Sequence, residues 1–180
     1  MIAYLLILLA VLTRVIPHAG LWNFTAVTGG LLYFGARRPW REMLAPLAAL
    51  ITTDCYLTLF QYHGYKIGGE SVVSWAWYLM AMLLGSALLR KRVTLARGLA
   101  GALLGPTSFF LVSNFSSWAF DPFHMYPRTL PGLATCYLAG VPFYGNDLVS
   151  TGLVLGAAFG VPALVRRMNA SRAEASLTAK

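Results

Sequence analysis

Six runs of apolar residues, separated by short clusters of arginine and lysine, leave this chain little to fold into except helices packed in a lipid bilayer. The runs cover residues 2–16, 24–36, 43–60, 72–89, 99–112 and 148–165. Within lipid, backbone N–H and C=O groups must be satisfied internally, which an α-helix does segment by segment. The totals agree: 58% of residues are hydrophobic and 11% charged, where a soluble domain carries about 25% charged residues. Several runs are shorter than the ~20 residues that cross a hydrocarbon core of about 30 Å. Flanking aromatics lengthen them, and tilt or local thinning absorbs the remainder. The second run is the most interrupted, by Gly29, Gly30 and Gly35.

A seventh apolar stretch, 130–144, contains Pro131, Gly132, Gly140 and Pro142. Its breakers predict a short helix lying in the interface before the last span. The first run has no basic segment ahead of it and no small-x-small cleavage site after it, so it reads as a retained helix rather than a signal peptide. The expected fold class is therefore all-α integral membrane: six transmembrane helices in a single domain, 1–167, plus the interfacial helix. Residues 168–180 are polar and small and read as a flexible cytoplasmic tail.

The net charge of +8 does not point to nucleic acid, because the basic residues sit in short clusters between apolar runs. They follow the positive-inside bias instead. Arg37, Arg38 and Arg41 lie between runs two and three. Arg90, Lys91, Arg92 and Arg97 lie between four and five, and Arg166, Arg167, Arg172 and Lys180 follow the sixth. These eleven of the fourteen basic residues fall on one side when the six spans alternate. The other side keeps Arg14, Lys66 and Arg128, with Asp54, Glu70, Asp121 and Asp147. Both termini are expected in the cytoplasm.

Small residues mark faces where helix backbones approach closely. Gly152, Gly156 and Gly160 repeat every fourth position, as do Gly101 and Gly105. Such a stripe serves packing within the bundle or contact with a partner membrane protein.

Polar and aromatic residues gather at the outer ends of the runs, which predicts a concave binding site opening outward. An aromatic belt with ordinary loop polarity is the alternative. The candidate substrate-binding residues are Asn23, Asp54, Cys55, Tyr62, His63, Asn114, Trp118, His124, Tyr126, Arg128 and Asn146. Asp54 stands roughly 18 Å from the inner end of the third run at 1.5 Å per residue. A carboxylate at that depth faces a cavity or a partner, and Arg14 is the obvious counter-ion. Cys55 follows it, about 100° around the helix. It is either a small apolar filler or a soft ligand for a late transition metal. The segment NFSSWAFDPFHMYPR (114–128) offers aromatic faces and an arginine to a planar or anionic ligand. The three histidines, His18, His63 and His124, have no metal-site spacing, and no GxSxG, HExxH, Walker or Rossmann pattern occurs.

Four segments together, TRVIPHAGLWNFTAV (13–27), PLAALITTDCYL (46–57), SFFLVSNFSSWAF (108–120) and YPRTLPGLATCYLAGVPFYGNDLVSTGL (126–153), resemble the DUF6580 type of small bacterial membrane protein, and the resemblance implies a transport protein. That type is similar to the substrate-binding S components of energy-coupling-factor vitamin transporters. The resemblance implies an S-component-like bundle in the bacterial inner membrane, a vitamin-like substrate taken at the outer face, and no required cofactor. Solitary vitamin B12 transporters of that superfamily use a cysteine as axial ligand to cobalt. The resemblance makes Cys55 the candidate ligand to the cobalt of a bound corrinoid, because Thr53-Asp54-Cys55 stands where the type usually reads Ser-Asp-Leu. The Ala-x3-Ala motif with which S components dock on a shared energising module is missing from the first run; Ala45 and Ala49 have that spacing in the third. Solitary action follows.

The leading expectation is uptake of a small vitamin-like molecule, cobalamin or a related corrinoid first, without catalysis by this chain. An accessory subunit packing on a partner through its glycines is the second class. A membrane enzyme using Cys55, His63, His124 and Asp121 is the third.

Overall fold

The structure, a computed structural model, describes residues 1–16, 21–62, 64–120, 123 and 125–178. His18, His63, His124 and Asp121 lie outside the described residues. Apolar sequence with few breakers becomes helix almost throughout. The elements are α1 (Ile2–Val15), α2 (Val27–Arg37), α3 (Leu44–Tyr56), α4 (Gly69–Leu89), α5 (Leu95–Phe120), α6 (Leu130–Leu155) and α7 (Val161–Thr178). A 3-10 turn, Trp40–Glu42, leads into α3, and a π turn, Leu57–Gln61, extends it. A second π turn, Gly156–Gly160, fuses α6 to α7. The described residues thus form six helical rods, all α.

Four rods are long and apolar enough to cross a membrane: Trp40–Gln61, Gly69–Leu89, Leu95–Phe120 and Leu130–Ser171. This is a membrane protein. The first apolar run gives only 14 helical residues, in α1, and the second only 11, in α2. At 1.5 Å per residue α2 is about 16 Å long, half a hydrocarbon core.

That short helix is the centre of the bundle. All of Val27 to Ala36 is buried, against α1, α4, α5 and α6. Its glycines are why it can sit there. A Cβ on Gly35 would lie 1.8 Å from the Met82 carbonyl oxygen on α4, and one on Gly85 of α4 would lie 2.1 Å from the Leu32 carbonyl oxygen. The two backbones therefore touch reciprocally, as small residues permit when lipid supplies no hydrophobic drive. Gly105 of α5 likewise admits Thr28 and Leu32. Leu31, Leu32, Phe34, Leu50, Met82 and Leu89 complete the core. Leu5, Leu8, Leu103, Leu138, Val149 and Leu153 face outward, where lipid is the solvent.

The interfacial helix expected at 130–144 is not a separate element: those residues begin one rod that runs unbroken to Thr178. Pro131 falls in the first turn, where a missing N–H costs nothing. Thr129 caps that turn, its Oγ1 accepting from Gly132 N at 3.2 Å. Pro142 sits inside the helix without ending it, since backbone left unpaired in lipid costs more than one lost hydrogen bond. Gly132 and Gly140 are close-contact sites rather than breaks. A Cβ on them would strike the Pro127 carbonyl oxygen at 2.1 Å and Asn114 Oδ1 at 2.4 Å.

Charge separates along the bundle. Arg90 donates to the Gly35 carbonyl oxygen at 3.0 Å and also to that of Arg38. Arg38 pairs with Glu42, to which Tyr4 donates. The start of α1, the end of α2, the start of α3 and the end of α4 therefore meet at one arginine-rich end.

Candidate functional site

The opposite end is hollow. A cavity of about 800 Å³ lies among the last turn of α1, the chain entering α2, the far half of α3 and the first turns of α4. Arg14, Thr28, Asp54, Trp77, Tyr78 and Asp147 line its deeper part, with Trp22, Tyr62, Tyr65 and Lys66 nearer the mouth. A second hollow of about 300 Å³ lies between α5 and α6. Asn23, Phe109 and Asp147 line both, so the two adjoin. Each falls within the size range of small-molecule sites.

The expected Arg14–Asp54 pair is present. Arg14 Nη2 lies 2.6 Å from Asp54 Oδ1, an ion contact rather than an aligned hydrogen bond. Tyr78 Oη donates to Asp54 Oδ2 at 2.9 Å and accepts from Arg14 Nη1. Trp75 Nε1 also donates to Oδ2, at 3.1 Å. Each charge is thereby partnered by charge and by dipoles, as a buried pair requires. Trp77 forms a wall nearby, its Nε1 donating to Ser108 Oγ at 3.0 Å and its ring packed 4.6 Å from that of Phe109.

Asp147, which the sequence reading set on the outer side just ahead of the sixth run and did not name as a site residue, lies within the α6 rod, as far along the chain from Arg128 as from Arg166. It is 4% exposed. Thr28 Oγ1 donates to its Oδ2 at 3.1 Å, and Thr151 Oγ1 to its Oδ1 at 3.2 Å. Among the described residues no cation lies within ion-pair distance of it.

The other candidates divide. Asn23, Tyr62, Asn114 and Tyr126 line one or both hollows. Asn23 adopts φ 60°, a left-handed conformation that asparagine tolerates better than most residues. Asn114 Nδ2 donates to the Phe110 carbonyl oxygen at 2.8 Å. Trp118, Arg128 and Asn146 line neither hollow. Trp118 Nε1 donates to the Pro127 carbonyl oxygen at 2.9 Å, and Asn146 Nδ2 to that of Trp22 at 2.8 Å. Arg128 is exposed. Cys55 is half-buried on α3 and lines neither hollow, whereas Cys136, buried on α6, lines the smaller one. Among the described residues no three His, Cys, Asp or Glu side chains gather as a metal site.

Sequence reasoning missed Thr28, Thr151, Trp77, Tyr78 and Phe109. A hydroxyl one helical turn beyond an intramembrane carboxylate was a readable sign for Thr151; the others required the packing. Gly152, Gly156 and Gly160 face open space, with nothing near where a Cβ would stand. Among the described residues their stripe takes no part in packing within the chain, while Gly101 and Gly105 do pack.

The chain belongs to the DUF6580 family, a family of unknown function, whose pattern matches residues 1–174. No curated protein and no solved structure matches it.

Proposed function

We propose that this protein takes up a small vitamin-like solute, binding it in the hollow opposite the arginine-rich end. The observation that carries the reading is a cavity of about 800 Å³ with apolar walls and intramembrane charges on its floor. Such charges are costly and mark substrate or ion paths. In this reading the six rods form an S-component-like bundle crossing the bacterial inner membrane six times, with both termini cytoplasmic. The solute enters past Trp22, Tyr62 and Tyr65, and the protein reorients in the bilayer to release it. This chain hydrolyses nothing.

A corrinoid is the ligand the resemblance suggests, with Cys55 as axial ligand to its cobalt. The cavity supports a small solute in general and gives that thiol no part in its lining. An accessory role is the second reading, favoured by the outward stripe of Gly152, Gly156 and Gly160, which leaves α6 a smooth face for a partner membrane protein.

Gentle purification followed by absorption and mass spectra of whatever travels with the protein tests the first reading. A stoichiometric small molecule, accumulated by cells that make the protein, supports it. Stoichiometric capture of one membrane protein, with no small molecule and no accumulation, overturns it in favour of the second. A cobalamin spectrum changed by the wild type but not by Cys55→Ser supports the corrinoid; no change with either removes it.

A further inference from the structure

We propose that Asp147 and the aromatic walls beside it form a subsite for a cationic nitrogen, so that the solute of this cavity is an organic cation. The inference rests on the reading of the cavity as a solute site and narrows its substrate class.

Charge bookkeeping within the lining comes first. Among the described residues of the larger hollow, Arg14 and Lys66 face Asp54, Glu70 and Asp147. Arg14 and Asp54 are taken up by each other. The smaller hollow has no lysine or arginine among its described lining residues, and Asp147 is its one charged group. Over the described lining residues, three carboxylates stand against two bases, and Asp147 is the fully buried one of the three.

That carboxylate is poorly compensated for its depth. A charge inside a protein core or bilayer costs several kcal/mol unless a partner offsets it. Asp147 receives two hydroxyl hydrogen bonds, one on each oxygen. A carboxylate offers about four lone-pair sites, so each oxygen can accept once more. A ligand bearing N–H donors or a fixed positive charge supplies what the protein does not. The walls suit the same ligand. Phe109, Phe110, Tyr126, Phe143 and Tyr144 line the smaller hollow with Asp147, and aromatic faces attract cations through their quadrupole. Among the described lining residues an anion would meet a carboxylate and no lysine or arginine there. Arg128, the arginine that suggested an anionic ligand, lines neither hollow.

The test uses the full chain in lipid nanodiscs and equilibrium dialysis against choline, the uncharged carbon isostere of choline, thiamine, biotin and cyanocobalamin. At least one of the two cations is expected to bind saturably, with choline preferred over its isostere. Asp147→Asn should weaken cation binding by on the order of 100-fold, the usual scale for removing one partner of a buried charge pair. Asp147→Glu, which keeps the charge, should retain most of it. Thermal unfolding checks that the variants fold. Should Asp147→Asn fail to fold, preference for choline over its isostere, with weaker cation binding in Tyr144→Leu, supports the subsite; equal binding of both compounds overturns it. Saturable binding of biotin or cyanocobalamin alone, or cation binding unchanged in Asp147→Asn, overturns the cation subsite and leaves solute uptake standing. No binding of any of the five, together with no solute accumulated by cells, removes both readings.

Discussion

Arg14 near the end of α1 and Asp54 in α3 are joined at 2.6 Å, and the pair ties two rods together at the floor of the cavity. Asp54 is 12% exposed and Arg14 23%, so neither charge has much water to fall back on. Breaking such a pair from one side leaves an uncompensated charge and costs about 3 kcal/mol or more. Asp54→Ala should therefore lower the unfolding temperature more than Asp54→Ala combined with Arg14→Ala. Thermal denaturation of the three variants and wild type in one detergent gives the coupling; strictly additive shifts would show that the contact carries no energy.

The reciprocal contact of α2 with α4 makes a second expectation. Gly35→Ala and Gly85→Ala each force a methyl into a facing carbonyl, at 1.8 Å and 2.1 Å. Overpacking of this kind costs about 1–3 kcal/mol or more, because backbone cannot swing aside as a side chain does. Gly156→Ala meets nothing among the described residues and should leave stability unchanged. Equal unfolding temperatures for Gly85→Ala and Gly156→Ala would show that the close approach is absent.

The contrast among these glycines shows how far the sequence was legible. Apolar runs and arginine clusters announced a membrane bundle and its two chemically different ends, because both depend on local composition. The pairing of Arg14 with Asp54 was also readable, since two charges at matching depth have few other partners. What a run of letters could not show was which glycines are contacts and which are breaks. Gly29, Gly30 and Gly35 looked like damage to a span; they let α2 be buried on every side. Pro131, Gly132, Gly140 and Pro142 read as a short interfacial helix, and with that reading Asp147 fell just outside the last span. Local propensity lost to the demand that backbone in lipid stay hydrogen-bonded.

The course of that rod through the bilayer can be measured directly. Nitroxide labels on cysteines introduced at Leu130, Leu138 and Val149, all outward-facing on α6, should report increasing immersion along the rod. Successive sites are several residues apart at 1.5 Å per residue, so the series should span on the order of 25 Å. Power-saturation measurements with oxygen and a nickel chelate in liposomes provide the depths. Finding Leu130 and Leu138 at one shallow level would restore an interfacial helix separate from the last span.

The two hydroxyls on Asp147 give the last expectation, which concerns the carboxylate itself rather than any ligand. Thr28 and Thr151 come from different helices, the central α2 and the same rod as Asp147, and each donates to a different oxygen. Thr28→Val keeps the side chain's outline and removes the donor to Oδ2. Leaving a buried acceptor unsatisfied costs about 1–3 kcal/mol, so unfolding should shift clearly downward. The same change in an Asp147→Leu background removes a hydroxyl that no longer has its acceptor and should be neutral or stabilising. Thr151→Val should behave alike but more mildly, because its partner lies one turn away on the same helix and geometry survives without the bond. The coupling between Thr28→Val and Asp147→Leu is read from thermal unfolding of the four proteins of the cycle. A coupling within about 0.5 kcal/mol of zero, the level found for independent sites, would mean that α2 does not hold this carboxylate.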